Sequence, residues 1–404
     1  MATKFQKAVS FFALASVFSM SGCQTDDVLE EKAPQINAAA ASKTSNVVAG
    51  KYIIVFKNKG EQTATIIDEL VAAKELSKTD IKEKFEGRIK GFSGKLTEEQ
   101  VQNLLHNPEV ASIEPEQLLS LGKINQDVNS DTNLTAYSTE SVTATYAMPA
   151  QPAQTTPWGV TMVGRGDGTG KTAWVIDSGV DVYHPDLKVD VARSVSFITG
   201  VTSVMDGYGH GTMVAGIIAA KNNTIGVVGV AANASIVALK VLDDTGNGTL
   251  TSLIRAVNHV STYGKAGDVV NISIGAAASA TLDNAIKTAA AKGIFFSIAA
   301  GNSSADCSAT SPQRVNATNV YTVSAMDQSK RFYVASNFGA PVDRAAPGIQ
   351  ITTTGKKGTY TYGTGTSFAA PHVAGLLLLK GNAISTNGTV LGDRDSWADP
   401  VVKL

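Results

Sequence analysis

Two spacings of apolar residues alternate along positions 51–121 and predict a small α+β domain. Apolar positions two residues apart or in short runs indicate strands, and apolar positions three or four apart indicate helices. The second helix opens with the capping-box pair Thr97 and Gln100. In chain order the predicted elements are a strand at 51–56, a helix at 63–76, a hairpin at 84–96, a helix at 97–108 and a strand at 110–121. The order β-α-β-β-α-β predicts a ferredoxin-like open-faced sandwich.

From about residue 156 the pattern changes to uniformly apolar strands that alternate with helical segments. Strands of this kind are buried on both faces, which predicts a doubly wound, mostly parallel sheet with helices on both faces. Reactive groups in such sheets gather at the carboxyl ends of the strands. The predicted strands are 171–177, 235–243, 267–275, 293–302 and 320–327.

The N-terminal segment has the pattern of an export signal. Lys4 and Lys7 precede an apolar stretch at 8–20 that is too short to span a membrane, and small residues follow it before Cys23. This resembles a bacterial lipoprotein signal, which implies lipidation of Cys23; the alternative is an ordinary signal peptide with an incidental cysteine. The acidic pair at 26–27 resembles the surface-export tag of Bacteroidetes lipoproteins.

The pattern of apolar and polar residues, together with the composition, divides the chain into five predicted segments. They are a signal peptide at 1–22, a polar tether at 23–46, the small α+β domain at 47–119, a polar linker at 120–155 and the large α/β domain at 156–404.

Composition narrows the classes of function. The 404 residues carry a formal net charge of −1 and only 17% charged side chains, so nothing predicts nucleic-acid binding or an electrostatic attraction to membranes. If Cys23 carries lipid, the second cysteine, Cys307, is left without a disulfide partner.

Four polar residues stand where the α/β pattern places chemistry. Asp177 and Asn302 end apolar strands, while His210 and Ser367 open apolar helices. Singly, each is explained as a turn or cap residue. Together they supply what a serine nucleophile needs: a base, a carboxylate that fixes the base, and a donor for the oxyanion.

The chain order Asp, His, Ser is the order known from subtilisin. The segments "VIDSGV", "GHGT", "AAGN" and "GTSFAAPHVAG" resemble the four signature blocks of the subtilisin-like serine proteases, in family order across most of residues 156–380. Residues 47–119 resemble the inhibitory propeptide of the same family. The resemblance implies a catalytic triad of Asp177, His210 and Ser367 and an oxyanion donor on Asn302.

The helix that starts at Ser367 has small residues and a proline in its first turns. The resemblance implies that the N–H of Ser367 is the other oxyanion donor and that Gly365 allows close approach of substrate. Ala369 and Ala370 keep the helix slim, Pro371 falls near the first turn where a missing N–H is tolerated, and His372 is expected to be a packing residue. Met213 replaces a histidine common in the family, which predicts altered packing beside the base.

Two chain segments resemble the edges that hold substrate in this family. They imply that Ser273, Ile274 and Gly275 pair with the peptide backbone on one side and Gly246 and Gly248 on the other. The alternative is that the glycines only form turns. Substrate held as an added strand implies an endopeptidase with broad side-chain tolerance.

The segments 184–187 and 219–230 resemble the high-affinity calcium site of subtilisins. The resemblance implies side-chain ligands from Asp186 and Asn223, and Gln154 is a candidate for a further ligand near the mature N-terminus. Backbone carbonyls would come from Lys221, Ile225 and Val227. Oxygen-only ligands suit Ca²⁺; the alternative is a solvated Asn-rich turn. No organic cofactor is expected.

The leading hypothesis is a secreted, lipid-anchored serine endopeptidase that is made as an autoprocessed zymogen, cleaves polypeptides and is inhibited by its own propeptide. The protein is expected to be an exported monomer on the outer membrane or cell surface of a Gram-negative bacterium; the alternative is a secreted protein. The alternatives are a catalytically silent peptide-binding surface lipoprotein with the same fold, and an esterase with the same triad. The processing point is expected between about residues 118 and 157.

Overall fold

The computed structural model of the chain describes residues 46–57, 59–121 and 150–404. The predicted signal peptide, Cys23, nearly all of the tether and most of the linker lie outside these residues. In the described part of the chain, no helix has both the length and the apolar character needed to cross a membrane.

The N-terminal domain has the predicted order of elements. Its apolar residues, among them Ile54, Phe92 and Ile113, form one core between the sheet and the two helices. The Thr97–Gln100 capping box is present at the start of the second helix. The elements are β1 (Val47–Phe56), α1 (Thr63–Ala72), β2 (Ile81–Phe85), β3 (Gly91–Lys95), α2 (Glu98–Leu105) and β4 (Val110–Ser120).

The C-terminal domain contains all five predicted strands, each within its predicted segment. The remaining elements are helices, several short strands, and three strands near the C-terminus that belong to the same sheet. In chain order the elements are α3 (Trp158–Val163), β5 (Gly166–Asp167), β6 (Thr172–Asp177), β7 (Val195–Ser196), α4 (His210–Ala219), β8 (Ala231–Ala232), β9 (Ser235–Lys240), β10 (Asn247–Thr249), α5 (Leu250–Tyr263), β11 (Val269–Ile272), β12 (Ala276–Ala277), α6 (Ala280–Ala290), β13 (Phe295–Ala299), β14 (Thr310–Ser311), β15 (Val320–Met326), β16 (Val342–Pro347), β17 (Ile351–Gly355), β18 (Thr359–Gly363), α7 (Thr366–Lys380), β19 (Ser385–Thr389) and β20 (Pro400–Lys403).

A nine-stranded sheet organises this domain in the order β19-β20-β16-β15-β13-β11-β6-β9-β7. All pairs are parallel except β19–β20. Alternate residues of β6 serve opposite faces: Ala173 and Val175 pack in the cluster that contains α4 and α7, whereas Trp174 and Ile176 pack in the cluster that contains α5 and α6. The α/β fold with helices on both faces is therefore confirmed.

The two domains share a sheet. The N-terminal sheet has the order β10-β4-β1-β3-β2, so its last strand, β4, pairs antiparallel with a strand of the C-terminal domain. A second contact lies on α5, where the Asn258 side chain accepts from the N–H groups of Arg88 and Ile89 at 3.1 and 3.0 Å. Arg255 on the same helix pairs with Glu83 at 2.8 Å.

Residues 150–155, placed by the sequence in the linker, lie against the C-terminal domain. Ala153 and Thr155 form isolated bridges to Ile225 and Val227. The exact boundaries of the five predicted segments remain predictions.

Candidate active site

Asp177 and His210 meet at the carboxyl end of the central strand β6. Asp177 is the last residue of that strand and His210 the first residue of α4. The imidazole Nδ1 lies 2.9 Å from both carboxylate oxygens of Asp177, and both side chains are buried. A carboxylate bonded to Nδ1 fixes the tautomer that leaves Nε2 free to accept a proton.

The pKa of His210 reflects two opposing effects. Burial disfavours the charged imidazolium and lowers the pKa, whereas the charge and hydrogen bond of Asp177 raise it. The net result is a pKa above the ordinary value for histidine. The site therefore stabilises the protonated imidazolium form of His210.

Ser367 is the second residue of α7, so its N–H is among the first four of the helix, which have no carbonyl partner within it. Asn302 is held beside this turn because its Oδ1 accepts from the N–H and Oγ1 of Thr366 at 2.9 and 3.1 Å. With Oδ1 occupied, the amino group of Asn302 remains to donate. These two donors could bind an oxyanion.

Gly365 is required by its surroundings. Its φ is +139°, and a Cβ at this position would lie 3.1 Å from Nδ2 of Asn302. A side chain here would be both strained and in contact with the amide.

The hydroxyl of Ser367 donates to the carbonyl oxygen of Ser273 at 3.4 Å. Among the described residues, no hydrogen bond joins it to His210. The residue that follows, Phe368, packs edge-on against the His210 ring with centroids 5.7 Å apart, so the start of α7 lies beside the imidazole.

One of the two predicted substrate edges is occupied by the chain itself. Strand β4 pairs antiparallel with β10, with Leu119 opposite Gly248, and the N–H of Leu121 donates to the carbonyl of Gly246 at 3.1 Å. The Leu119 side chain is buried in the cluster that contains Leu250. The end of the N-terminal domain thus lies along this edge in the manner of an added strand.

The other predicted edge, residues 273–275, borders the nucleophile. Besides its contact with the Ser367 hydroxyl, Ser273 donates through its own Oγ to the Ser367 carbonyl at 3.3 Å. Ile274 lies in the same apolar cluster as Leu119. A Cβ on Gly275 would lie 2.8 Å from the Gln313 amide, so only glycine fits there without displacement.

Two carboxylates of β4 cap helices of the C-terminal domain. Glu114 accepts from Ser279 Oγ at 2.7 Å and from the N–H and Oγ1 of Thr281 at 2.9 and 3.0 Å, at the start of α6. Glu116 accepts from the N–H of Thr251 at 3.1 Å and from its hydroxyl, at the start of α5. Negative charge is favoured at helix N-termini, so these contacts hold the N-terminal domain on the site.

Three of the predicted calcium ligands lie around the Gln154 side chain. Nε2 of Gln154 lies 2.8 Å from the Lys221 carbonyl, 3.3 Å from Asn223 Oδ1 and 3.4 Å from the Val227 carbonyl. The Asn223 amide donates to Asp186 at 2.8 Å. No contact places the carbonyl of Ile225 in this group, although its N–H donates to Asn223 Oδ1 at 2.8 Å.

Three other residues noted in the sequence are buried and have ordinary structural roles. Burial lowers the pKa of His372 to about 4, and its Nδ1 bonds the Phe368 carbonyl at 2.8 Å, as expected for a packing residue. Met213 packs with Ile217, Ile351 and Phe368. Cys307 is free and buried, and burial raises the pKa of its thiol to about 12, which disfavours the nucleophilic thiolate.

Sequence reasoning missed three acidic residues. Glu114 and Glu116 stand two apart in β4, and this spacing, which places both side chains on one face of a strand, is visible in the sequence. Asp206, four residues before His210, is buried beneath the first turn of α4.

The fold and these contacts define a class: an α/β domain of the serine-peptidase type whose cleft is covered by an N-terminal inhibitor-like domain. Residues 168–389 match the Subtilase family, and residues 51–122 match the Peptidase inhibitor I9 family. The chain belongs to the subtilase family.

Relatives of known name extend the match over most of the chain. Alkaline serine protease ver112 of Corniculantispora psalliotae is 32% identical over 349 residues, which cover 85% of this chain and 83% of that protein. Subtilisin Savinase of Lederbergia lenta is 40% identical over 56% of this chain and 84% of its own length. An alkaline protease of Alkalihalobacillus alcalophilus is also 40% identical, but the match spans only 60% of that protein.

The solved structure of a cold adapted subtilisin-like serine proteinase is 34% identical, with a TM-score of 0.54. The likeness covers 61% of this chain and 97% of that one.

Proposed function

We propose that the protein is a secreted serine endopeptidase made as a zymogen, whose reaction passes through an acyl-enzyme on Ser367. The observation that carries the proposal is the buried Asp177–His210 pair beside the start of α7, where Ser367 and Asn302 supply a nucleophile and an oxyanion donor. The substrates are polypeptides.

In the reaction, Ser367 turns its hydroxyl from the Ser273 carbonyl to Nε2 of His210 as substrate binds. His210 takes the proton, the serine oxygen attacks the peptide carbonyl, and Asp177 stabilises the imidazolium. The oxyanion that forms accepts from the Ser367 N–H and the Asn302 amide. His210 then protonates the leaving amine, and a water activated by His210 hydrolyses the ester.

The N-terminal domain acts as the intramolecular inhibitor. Its β4 strand runs along β10 toward Gly246, and a Cβ on Gly246 would lie 2.7 Å from the ring of Tyr208, two residues before His210. The N-terminal domain therefore ends close to the turn that carries His210, and we expect the first self-cleavage within a few residues of Leu121. N-terminal sequencing of the processed form measures this position; a first cut beyond residue 150 would contradict it.

A structural calcium ion fits the oxygen cluster around Gln154. The side chains of Asp186, Asn223 and Gln154 and the carbonyls of Lys221 and Val227 would hold it, an oxygen-only set that suits Ca²⁺. The carbonyl of Ile225, the remaining predicted ligand, makes no contact with this group. Turning the Gln154 amide by 180° replaces its donor by an acceptor, as a cation requires. Among the described residues no three His, Cys, Asp or Glu side chains form a metal cluster, so the site depends on amides and carbonyls.

We further propose that Cys23 is lipidated and that the protein is carried on the outer membrane or surface of a Gram-negative cell as a monomer. This proposal rests on the signal pattern around Cys23. Cys23→Ser is expected to release the protein from sedimented membranes, and continued membrane association of that variant would contradict the anchor.

Ser367→Ala tests the activity directly. The purified variant precursor is expected to stay full-length, while the wild type separates into two fragments by mass spectrometry. Complete processing of the purified variant alone would contradict self-cleavage. Hydrolysis of casein distinguishes the endopeptidase from the alternative of a catalytically silent peptide-binding protein. A comparison of casein with short acyl esters distinguishes it from an esterase.

A further inference from the structure

Asp206 is a buried carboxylate that the reaction above does not use. Its Oδ1 accepts from Ser178 Oγ at 2.8 Å and from the N–H of Gly209 at 2.6 Å. Its Oδ2 accepts from the N–H and the hydroxyl of Thr212 at 2.8 and 2.6 Å. Each oxygen thus receives two donors, which suits an ionised carboxylate at the start of a helix.

These donors belong to the turn that carries the base. Helix α4 begins at His210, and its N-cap, Gly209, provides no side-chain cap of its own. Asp206 supplies the missing acceptor to the N–H groups of Gly209 and Thr212, on either side of His210 in sequence. The orientation of the first turn of α4, and with it the imidazole, therefore depends on Asp206.

Ser178 connects the same carboxylate to Asp177. Its N–H donates to Asp177 Oδ1 at 2.7 Å, and its Oγ, which donates to Asp206, accepts from the N–H of Gly211 at 3.1 Å. The contact between helix and strand end is tight, because a Cβ on Gly211 would lie 2.0 Å from the Gly179 carbonyl oxygen. A small movement of Asp206 would thus change how Asp177 meets His210.

We propose that Asp206 is a positioning residue for the reaction at Ser367: it locks the first turn of α4, which carries His210, onto the loop after β6. The inference rests on the proposed function, since it concerns the same base.

Two anions, Asp177 and Asp206, raise the pKa of His210, and the cations near Asp206 bond to other groups. Burial lowers the pKa of His210, Asp177 raises it most, and Asp206 raises it further. From β9, Lys240 donates to the Ser178 carbonyl at 2.5 Å and is paired with Asp244 at 2.9 Å. From the turn after β17, Lys356 donates to the Gly207 carbonyl at 2.7 Å. Asp206 itself has a pKa raised by burial and opposed by its four donors.

Asp206→Asn is the test, measured on mature protein processed by added wild-type enzyme where the variant cannot process itself. Asparagine removes the charge and places an amino group against two donors. We expect kcat to fall about 10- to 100-fold, the range expected when a reacting group is displaced by about 1 Å. We also expect little change in KM and an acidic limb of the kcat/KM profile that moves to lower pH, because the imidazolium loses a stabilising anion.

Companion variants separate charge from scaffold. Ser178→Ala keeps the charge and should lower kcat without moving the acidic limb, whereas Asp206→Glu should restore the limb of the wild type. Asp399→Asn removes another buried carboxylate, directly before strand β20, and should lower only the melting temperature.

An Asp206→Asn enzyme with the kcat and acidic limb of the wild type would overturn the inference while leaving the endopeptidase activity intact. If that variant does not fold, Ser178→Ala decides: an unchanged kcat would overturn the positioning role. Loss of activity in the wild type itself would instead refute the proposed function.

Discussion

The contribution of each β4 carboxylate to the affinity of the propeptide for the catalytic domain can be measured separately. Glu114 accepts three hydrogen bonds at the start of α6, and Glu116 caps α5 through Thr251. Glu→Gln at either position preserves shape but removes the charge and one acceptor oxygen. Both side chains project from β4 toward the partner helices rather than into the propeptide's own core, so the propeptide fold should tolerate the change.

The size of the effect follows from these contacts. Net of the exchange with water, a hydrogen bond to a charged group contributes about 1.5–3 kcal/mol, and charge at a helix N-terminus adds about 0.3–1 kcal/mol. Since glutamine keeps one acceptor, we expect a loss of about 2 kcal/mol per site, or about 30-fold in the inhibition constant. The double variant should approach about 1,000-fold if the two helices respond independently.

The assay is slow-binding inhibition of the mature protease by the propeptide, residues 47–121, added in trans. Glu99→Gln is the matched control, because Glu99 is an exposed residue of α2, and its inhibition constant should equal that of the wild type. Inhibition constants within twofold of the wild type for both Glu114→Gln and Glu116→Gln would refute the capping account.

Four further results are expected. Asn302→Ala should lower kcat about 100- to 1,000-fold with little change in KM, the magnitude known for the corresponding donor of subtilisin itself; a loss below threefold would remove Asn302 from the oxyanion site. Gly365→Ala should reduce kcat at least about tenfold, because its φ of +139° and the nearby Asn302 amide exclude a Cβ; wild-type kcat would contradict this. Chelation of calcium should lower the melting temperature by about 5–10 °C, since a ligand at a concentration of about 100 times its Kd stabilises the fold by about 2.7 kcal/mol. Asp186→Asn should abolish that dependence on calcium. Equal melting temperatures of the wild type with and without Ca²⁺ would exclude the ion. Because Asp177 raises the pKa of His210, kcat/KM should fall as pH drops through that raised pKa, and Asp177→Asn should move this limb to lower pH; an unmoved limb would argue against the pair.

The parts of the fold that could be predicted from sequence are those with a strong local pattern. The strand at 172–177 is apolar from Ala173 up to Asp177, and a parallel sheet follows from several such strands. The candidate triad followed because each member ends a strand or starts a helix, and reactive groups of α/β proteins gather at that edge.

The parts that were missed depend on contacts distant in sequence. Strand β16 contains Asp343 and Arg344 and lacks an apolar run, although it pairs within the sheet. The residues of β19 are all exposed, so no alternation marks that strand, and β20 starts with Pro400, which is tolerated at the first position of a strand. Sequence patterns alone could not place Glu114 at the start of a helix 165 residues away.

Labelling with a fluorophosphonate tests the central claim most directly, because only an activated serine hydroxyl reacts rapidly. Intact mass and peptide mapping of the mature protein are expected to show one adduct, on Ser367, that disappears in His210→Ala. An unlabelled wild-type protein, or an adduct that persists on Ser367 without the imidazole, would contradict the proposed relay from Ser367 through His210 to Asp177.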